Sequence, residues 1–345
     1  MASPKVTVLM SVYNSERYVR YALESILQQT YADFEFLIIN DGSTDGSAEI
    51  LQSYDDPRIC ILTNAQNIGL TRSLNKGLRH ARGEYVARID ADDISLPMRL
   101  EMQTRCLDQH PEVGLVATGY DVINESGKVL RTDARRMSPE GLYYVLTFSN
   151  CLCHSAVMFR KQLVLTLGGY DPTFDLVEDL ELWYRVSRCC KIESVNRVLT
   201  KWRLSKGGLS DRFQAEQRAA EVAFLTKSMS ELMGSDGAVD DIKCFQDLYH
   251  LHAQATYESF CELVRVNDML VAACPPWLDR RTLEQQATAM LLRYLAIMTL
   301  HGHITVVIRV CFKFQSLFVR LIKQKAMSFM DSLSLKRLTY ELRHR

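Results

Sequence analysis

Arg88-Ile89-Asp90-Ala91-Asp92-Asp93 places three carboxylates within four residues at the end of an apolar run. Like charges this close make one another harder to ionise. A hard divalent cation removes that cost. Mg2+ or Mn2+ prefers oxygen ligands and needs few from the protein when phosphates complete its shell. The competing reading is a helix N-cap, with Asp92 or Asp93 satisfying free N–H groups ahead of Leu96-Pro97-Met98-Arg99-Leu100. Both readings hold together if Asp93 is the more structural of the two.

Two more positions suit a nucleotide. Tyr13 follows Met10-Ser11-Val12, where its ring offers a face to a nucleobase and nearby backbone groups can bond the base edge. The alternative is a tyrosine packed on the next helix. Asp41 adds a carboxylate that can accept an N–H from a base, or else closes its own Asx-turn. A third constellation is Val177-Glu178-Asp179-Leu180-Glu181-Leu182-Trp183. Leu180 and Trp183 anchor a helix whose first turn carries Glu178 and Asp179. The helix dipole favours acids there in any protein, so the pair alone reads as readily as caps.

The elements that must position these groups are legible from periodicity. Val6 to Val12 is a buried strand, and Val19, Ala22, Leu23, Ile26 and Leu27 recur at helical spacing after Asn14-Ser15. Phe34 to Ile39, Arg58 to Leu62 and Glu84 to Ile89 are further strands, with helices over Ala48 to Tyr54 and Leu70 to Ala81. This alternation predicts an α/β fold with a mainly parallel sheet, flanking helices and crossover connections. Ligands of such sheets sit beyond the carboxyl ends of the strands. Tyr13, Asp41 and the Asp90 cluster all lie just past such ends. The pattern then mixes: strands over Val113 to Val122, Ala156 to Phe159 and Ile192 to Trp202, and helices over Leu142 to Phe148, Lys161 to Leu167 and Glu178 to Arg188.

From about Phe213 glycine thins out and helical patterns dominate, so the expected division is 1–212, with a donor part to about 110 and an acceptor part over 111–212, followed by a helical region over 213–345. Composition is that of a globular chain: 345 residues, 47% hydrophobic and 24% charged. Basic and acidic residues balance at 41 each, which gives no support to a nucleic-acid binder. Ten cysteines show no CxxC framework of the zinc kind, which favours reduced thiols in the cytosol. No secretory leader is expected from MASPKVTVLMSVYN, and no stretch reaches the ~18 apolar residues of a spanning helix.

Residues 285–330 hold no Asp or Glu but six basic residues, Arg293, Arg309, Lys313, Arg320, Lys323 and Lys325. From Arg309 the basic positions share one helical stripe among Val310, Phe312, Phe314, Leu317, Phe318 and Leu321. That profile suits a helix lying on an anionic bilayer, here over 303–325, and equally a core-packing helix with a solvated basic face or a dimer contact.

VTVLMSVYN, FEFLIINDGSTD, NIGLTRSLNKGL, GEYVARIDADD, NCLCHSAVMFR, LGGYD and VEDLELWYRV occur in the order and spacing of family 2 glycosyltransferases, which the chain resembles over residues 5–205. The resemblance implies a GT-A fold and an inverting transfer from a nucleotide sugar with Mg2+ or Mn2+. It would place Ser11, Tyr13, Asp41, Asp90, Ala91 and Asp92 on the nucleotide sugar. Asp92 would hold the metal and Asp179 would be the general base, with Glu178 and His154 on the acceptor side. UDP is the expected nucleotide, and a glycan or lipid-linked acceptor the expected partner, with the enzyme cytoplasmic or peripheral at the inner face of a membrane. Asn40 replaces a commoner aspartate beside Asp41. Trp202-Arg203-Leu204-Ser205 lacks the Gln-x-x-Arg-Trp motif of processive members, which implies single additions. The alternative is a scaffold that keeps the fold and binds nucleotide sugar without turnover.

Overall fold

The computed structural model describes residues 3–134, 137–205, 213–233 and 257–300. It divides into two compact units, residues 1–238 with 274–279, and residues 239–273 with 280–345.

The first unit is built on one sheet. Strands β1 (Val6–Val12), β2 (Phe34–Asn40), β3 (Ile59–Thr63) and β4 (Tyr85–Arg88) run parallel in the order β3-β2-β1-β4. Helices α1 (Val19–Leu27), α2 (Ser47–Gln52) and α3 (Leu70–His80) make the crossovers. β1 and β2 are almost wholly buried, and polar only at Thr7, Ser11, Glu35 and Asn40, because helices cover both their faces. On one face Val6, Val8, Met10 and Val12 join Val19, Ala22, Leu23 and Ile26 of α1 in a single core, all 0% exposed. Burial of each such side chain contributes about 1.5–3 kcal/mol. On the other face α3 comes very close to β1. A Cβ on Gly77 would lie 2.2 Å from Leu9 Cδ1, so any larger residue there would force the Leu9 side chain to move.

Beyond β4 the sheet turns antiparallel and then mixed. β8 (Val157–Arg160) pairs antiparallel with β4 and with β6 (Val113–Ile123), and β9 (Lys191–Arg203) runs parallel to β6. Two strands escape periodicity. β5 (Ile94–Ser95) is two residues long and pairs antiparallel with β9, and β7 (Val129–Asp133) is an edge hairpin partner of β6 whose residues are mostly exposed. Helices α4 (Arg99–Gln109), α5 (Pro139–Val145), α6 (Lys161–Thr166), α7 (Glu178–Cys189) and α8 (Gln214–Met233) complete the unit. The strand order reverses between β1 and β4, which opens the rim where ligands of such sheets bind.

In the second unit α9 (Tyr257–Ala272) and α10 (Arg280–Leu300) pack through Leu263, Val266, Leu270, Leu283 and Leu291, and Asn267 Nδ2 donates to Ala287 O at 3.1 Å. Among the described residues no helix is long and apolar enough to cross a membrane. The basic stripe from Arg309 to Lys323 and the boundary at residue 212 lie outside the described residues.

Candidate active site

The register of the parallel strands puts their carboxyl ends on one rim. Val12 pairs with Asn40 and Asn40 with Thr63, so Tyr13, Asp41 and Asn64 each follow the tip of a neighbouring strand. Tyr13 is 47% exposed there, an aromatic face presented to solvent rather than packed on α1. The loop behind it is laced to the loop after β2. Asn14 adopts φ 48°, its Oδ1 accepts from Thr44 N at 2.8 Å, and its own N–H donates to Ser43 Oγ at 3.2 Å. Ser11 is half-buried inside β1, opposite Ile39.

Asp41 does not close an Asx-turn. The local bond comes instead from Asn40, whose Oδ1 accepts from Ser43 N, three residues on, at 3.1 Å. The Asp41 carboxylate is 1% exposed and reaches across to the segment before α3. Its Oδ1 accepts from Asn64 Nδ2 at 2.7 Å and from Ile68 N at 3.0 Å, and its Oδ2 accepts from Gly69 N at 3.0 Å. Gly42 follows at φ 68°, with an added Cβ only 2.5 Å from the Gln66 backbone. Asp41 and Gly42 together therefore set the path of residues 64–69. In this arrangement the donors to Asp41 are protein groups, and it acts on the rim by shaping that loop.

The acidic cluster follows β4. Ala91 is buried between Asp90 and Asp92. β8 runs antiparallel to β4 with Ala87 opposite Met158, so the turn before β8 lies beside Asp90. Ser155 Oγ accepts from Asp90 N at 2.9 Å and donates to Asp90 Oδ2 at 3.0 Å. The Arg88 guanidinium, 1% exposed, donates to Asp90 Oδ1. Burial acts to raise the Asp90 carboxyl, but Arg88 and these hydrogen bonds hold it below the usual range. Arg88 also leaves Nε and Nη1 buried without a hydrogen-bond partner.

Asp92 and Asp93 are braced from the end of β9. Arg203 N donates to Asp93 Oδ1 and Arg203 Nε to Asp92 O, both at 2.7 Å, while Ser205 Oγ donates to Asp92 Oδ2 at 2.8 Å. Asp93 is 0% exposed and its Oδ2 has no partner. Burial, then the charges of Asp92 and Asp90, push its carboxyl well above the usual range. Burial and the Asp90 charge also raise Asp92. The N-cap reading of this cluster does not survive. α4 begins only at Arg99 with Met98 as its cap residue and no side-chain capping bond. Asp93 is structural in a different way, as the clip that fixes β9.

Across the rim stands α7. Trp183 is fully buried against His154 at 5.7 Å, Phe159 at 6.0 Å and Tyr170 at 6.4 Å between ring centroids, which fixes the helix start. Leu176, just before the helix, adopts φ 78°, a strained conformation for a branched residue that costs about 1–3 kcal/mol. Gln217 Nε2 on α8 donates to Leu176 O at 3.1 Å, and Thr71 Oγ1 donates to Asp175 Oδ1 at 2.6 Å. These bonds hold the strained turn and so aim the residues that follow.

Those residues are Glu178 and Asp179. Glu178 is 6% exposed, and burial followed by the Asp179 charge pushes it up to about 8. Burial also raises Asp179, but its ionised form has two donors, Asn150 Nδ2 to Oδ2 at 2.8 Å and Leu180 N to Oδ1 at 2.7 Å. Within the pair, burial and the Asp179 charge favour the proton on Glu178, and the two donors favour the charge on Asp179. His154 bonds the Tyr170 hydroxyl through Nε2 at 2.9 Å, with Nδ1 3.9 Å from Glu178 Oε1. Burial and Arg88 drive its pKa well down, so this is a neutral imidazole and not an ion pair. Arg88 is the link between the two clusters, since its charge acts on Asp90 and on both Glu178 and Asp179.

Arg88, Asn150, Ser155, Arg203, Ser205 and Glu221 carry no individual role in the sequence reading. An arginine inside an apolar strand was the one available signal, at Arg88. The others act on partners 29 to 113 residues away, beyond the reach of local spacing.

Residues 7–168 match the sequence profile described as Glycosyl transferase family 2. The putative glycosyltransferase EpsE of Bacillus subtilis is 37% identical over 189 residues, 53% of this chain and 67% of EpsE. The O-antigen biosynthesis glycosyltransferase WbnJ of Escherichia coli is 34% identical over 58% of this chain and 79% of its own length. WfgD of Escherichia coli, a UDP-Glc:alpha-D-GlcNAc-diphosphoundecaprenol beta-1,3-glucosyltransferase, is 28% identical over 63% and 84%. Among solved structures, Staphylococcus aureus TarS 1-349 with UDP-GlcNAc superposes at a TM-score of 0.56 with 16% identity, covering 87% of this chain and 92% of that one. Only 54% of the longer TarS chain is covered. The mannosyltransferase PcManGT of Pyrobaculum calidifontis, with GDP-Man and Mn2+, superposes at 0.51 with 19% identity over 90% and 87%. The fold is thereby that of the GT-A glycosyltransferases.

Proposed function

Because this chain belongs to glycosyltransferase family 2, we propose that it moves a sugar from a UDP-sugar to a hydroxyl of a glycan or lipid-linked acceptor, with inversion and with Mg2+ or Mn2+. The observation that carries this reading is the pair of carboxylate clusters, Asp90 with Asp92 and Glu178 with Asp179, set about the buried Arg88. In the sequence division, residues 1 to about 110 serve the donor and 111–212 the acceptor.

The residues fit a divalent ion. Asp92 is raised by burial and by Asp90, which leaves the cluster short of positive charge. Among the described residues no three acidic, histidine or cysteine side chains converge to enclose a metal. The protein's share of the shell would be Asp92, with donor phosphates supplying the rest, as such sites commonly do. Bound there, the ion would neutralise charge on the departing diphosphate.

The chain's own residues account for the remaining work. Tyr13 would stack on the base, the loop shaped by Asp41 would border it, and Ser11, Asp90 and Ala91 would line the sugar-phosphate path. Asp179, ionised, would take the proton of the acceptor hydroxyl as its oxygen bonds to the anomeric carbon and the bond to the diphosphate oxygen breaks. Attack opposite the leaving group inverts the centre and needs no protein nucleophile. Glu178 and His154, both neutral, keep further charge away from the base. The UDP-sugars named for WfgD and TarS support the donor class, and the Mn2+ bound by PcManGT supports the metal.

The test is a screen of UDP-glucose, UDP-galactose, UDP-GlcNAc, UDP-GalNAc and GDP-mannose. UDP release from at least one UDP-sugar with MnCl2, lost on adding EDTA, is expected. Turnover that ignores EDTA would exclude the metal, and binding without any turnover would favour the scaffold.

The stripe over 303–325 supports docking on an anionic membrane face near a lipid-linked acceptor. Each basic residue at such a surface adds about 1 kcal/mol, screened by salt. The protein should float with phosphatidylserine-containing vesicles at low salt, and less so at high salt or after neutralising Arg309, Lys313, Arg320 and Lys323. Indifference to such vesicles at low salt makes the stripe a packing face.

A further inference from the structure

The segment between α5 and β8 touches the base directly. Asn150 Nδ2 donates to Asp179 Oδ2 at 2.8 Å, and Asn150 Oδ1 accepts from Leu152 N at 3.1 Å, which fixes the orientation of the amide. The Asn150 backbone N–H donates in turn to Glu221 Oε1 on α8 at 3.4 Å. α8 is anchored nearby by Phe224, whose ring meets Phe174 at 5.2 Å and Tyr184 at 5.6 Å. The helix beyond β9 thus reaches back to the residue that holds the base.

We propose that Asn150 is a positioning residue for Asp179 and that Glu221, through Asn150, makes α8 part of the base's support. This rests on Asp179 being the base. With Leu180 N on Oδ1 and Asn150 on Oδ2, the carboxylate cannot rotate, and its remaining lone pairs have fixed directions for an acceptor hydroxyl. A carboxylate at the start of a helix needs such a second anchor, because one bond to the adjacent N–H leaves the plane of the group free to turn.

The electrostatics agree in sign. Glu178 faces Asp179 from its own helix, Arg88 and Asp90 from the β4 end, Tyr170 from the loop before α7, and Glu221 from α8. Burial raises Asp179 most. Among the groups that lower it, the Asn150 hydrogen bond is the largest, ahead of Leu180 N–H and Arg88. The Glu221 charge and that of Asp179 disfavour one another, and burial raises Glu221 as well. Asn150 therefore stabilises the ionised base, while Glu221 holds Asn150 by its oxygen and opposes the base by its charge. The two contributions have opposite signs.

That opposition gives the test. In the full chain labelled with 13Cγ-aspartate, the Asp179 resonance is assigned by its loss in Asp179→Asn and titrated in three proteins. Asn150→Ala should move the Asp179 midpoint to higher pH. Glu221→Gln keeps an oxygen for the Asn150 N–H but removes the charge, and should move it to lower pH. With the UDP-sugar and MnCl2 that give turnover, Asn150→Ala should lower kcat about 10- to 100-fold, the range for one hydrogen bond to a charged group. Its acid limb should shift upward and its UDP-sugar affinity should be unchanged. A midpoint in Asn150→Ala equal to wild type overturns the proposal, since Asn150 would then only shape its loop. An active Asp179→Asn with the Asn150→Ala shift intact instead removes the base assignment beneath it, so the two failures are distinguishable.

Discussion

Asp92→Asn is expected to abolish Mn2+-dependent binding of the nucleotide sugar and, with it, turnover, while the folded protein melts where wild type does. The reasoning begins with charge. Asp93 is buried, with burial and its neighbours' charges acting against its anion, and Asp90 is occupied by Arg88 and Ser155. Asp92 is the member of the cluster whose charge is left for a cation, and Ser205 and the Arg203 contact to its backbone hold it in place. An asparagine keeps an oxygen for Ser205 Oγ, so the local structure has no reason to change, but the charge is gone. A loss of about 100-fold or more in donor affinity, about 3 kcal/mol, is the expected scale. Calorimetry of UDP-sugar binding with and without MnCl2 reads it directly. Asp93→Asn is the control. Asparagine preserves the oxygen that accepts from Arg203 N, and Asp93 is buried away from the rim, so its effect should be much smaller. Near-normal Mn2+-dependent turnover in Asp92→Asn would remove the metal assignment.

The contrast between Asp92 and Asp93 shows where local reading stops. Both stand at a strand end, both fit a metal site or a cap, and the three-carboxylate cluster was visible as chemistry. Which one is buried depends on the end of β9 and the residues after it, where Arg203 and Ser205 arrive from 110 and 113 residues away. Asp41 tells the same story. Its position at a strand tip follows from the period of the strands. Its use, pinning residues 64–69, depends on how α3 packs, and that depends on Gly77 against Leu9. The parallel half of the sheet was legible because buried parallel strands are long apolar runs joined by amphipathic helices. β5 and β7 were not, since two residues carry no period and a mostly exposed edge strand carries no apolar alternation. The antiparallel insertion of β8 between β4 and β6 is likewise a matter of pairing, yet it brings Ser155 and His154 to Asp90 and Glu178.

Asp179→Asn should leave UDP-sugar affinity unchanged and lower turnover by about 10²–10⁴-fold, the usual contribution of a positioned general base, or about 3–5 kcal/mol. Donor binding is spared because the residues assigned to the nucleotide lie at the β1, β2 and β4 tips, whereas Asp179 is set by α7 and Asn150. The neighbouring carboxylate sharpens the expectation. Glu178 and Asp179 cannot both ionise cheaply in a buried pair. Glu178, the more enclosed, is raised to about 8 and holds the proton, whereas Asp179 has the two donors that favour its anion. With Asp179 as the base, activity needs its ionised form, and burial has raised that group, so kcat should climb with pH through a point above the ordinary aspartate range. Glu178→Gln replaces a neutral acid by a neutral amide and should cost far less than Asp179→Asn at pH 7. The measurement is a pH profile of kcat for the three proteins beside their UDP-sugar dissociation constants. If Glu178→Gln loses turnover while Asp179→Asn keeps it, the base is Glu178. If Asp179→Asn instead loses donor affinity at unchanged kcat, Asp179 belongs to the donor side, and the proton must leave the acceptor by another group.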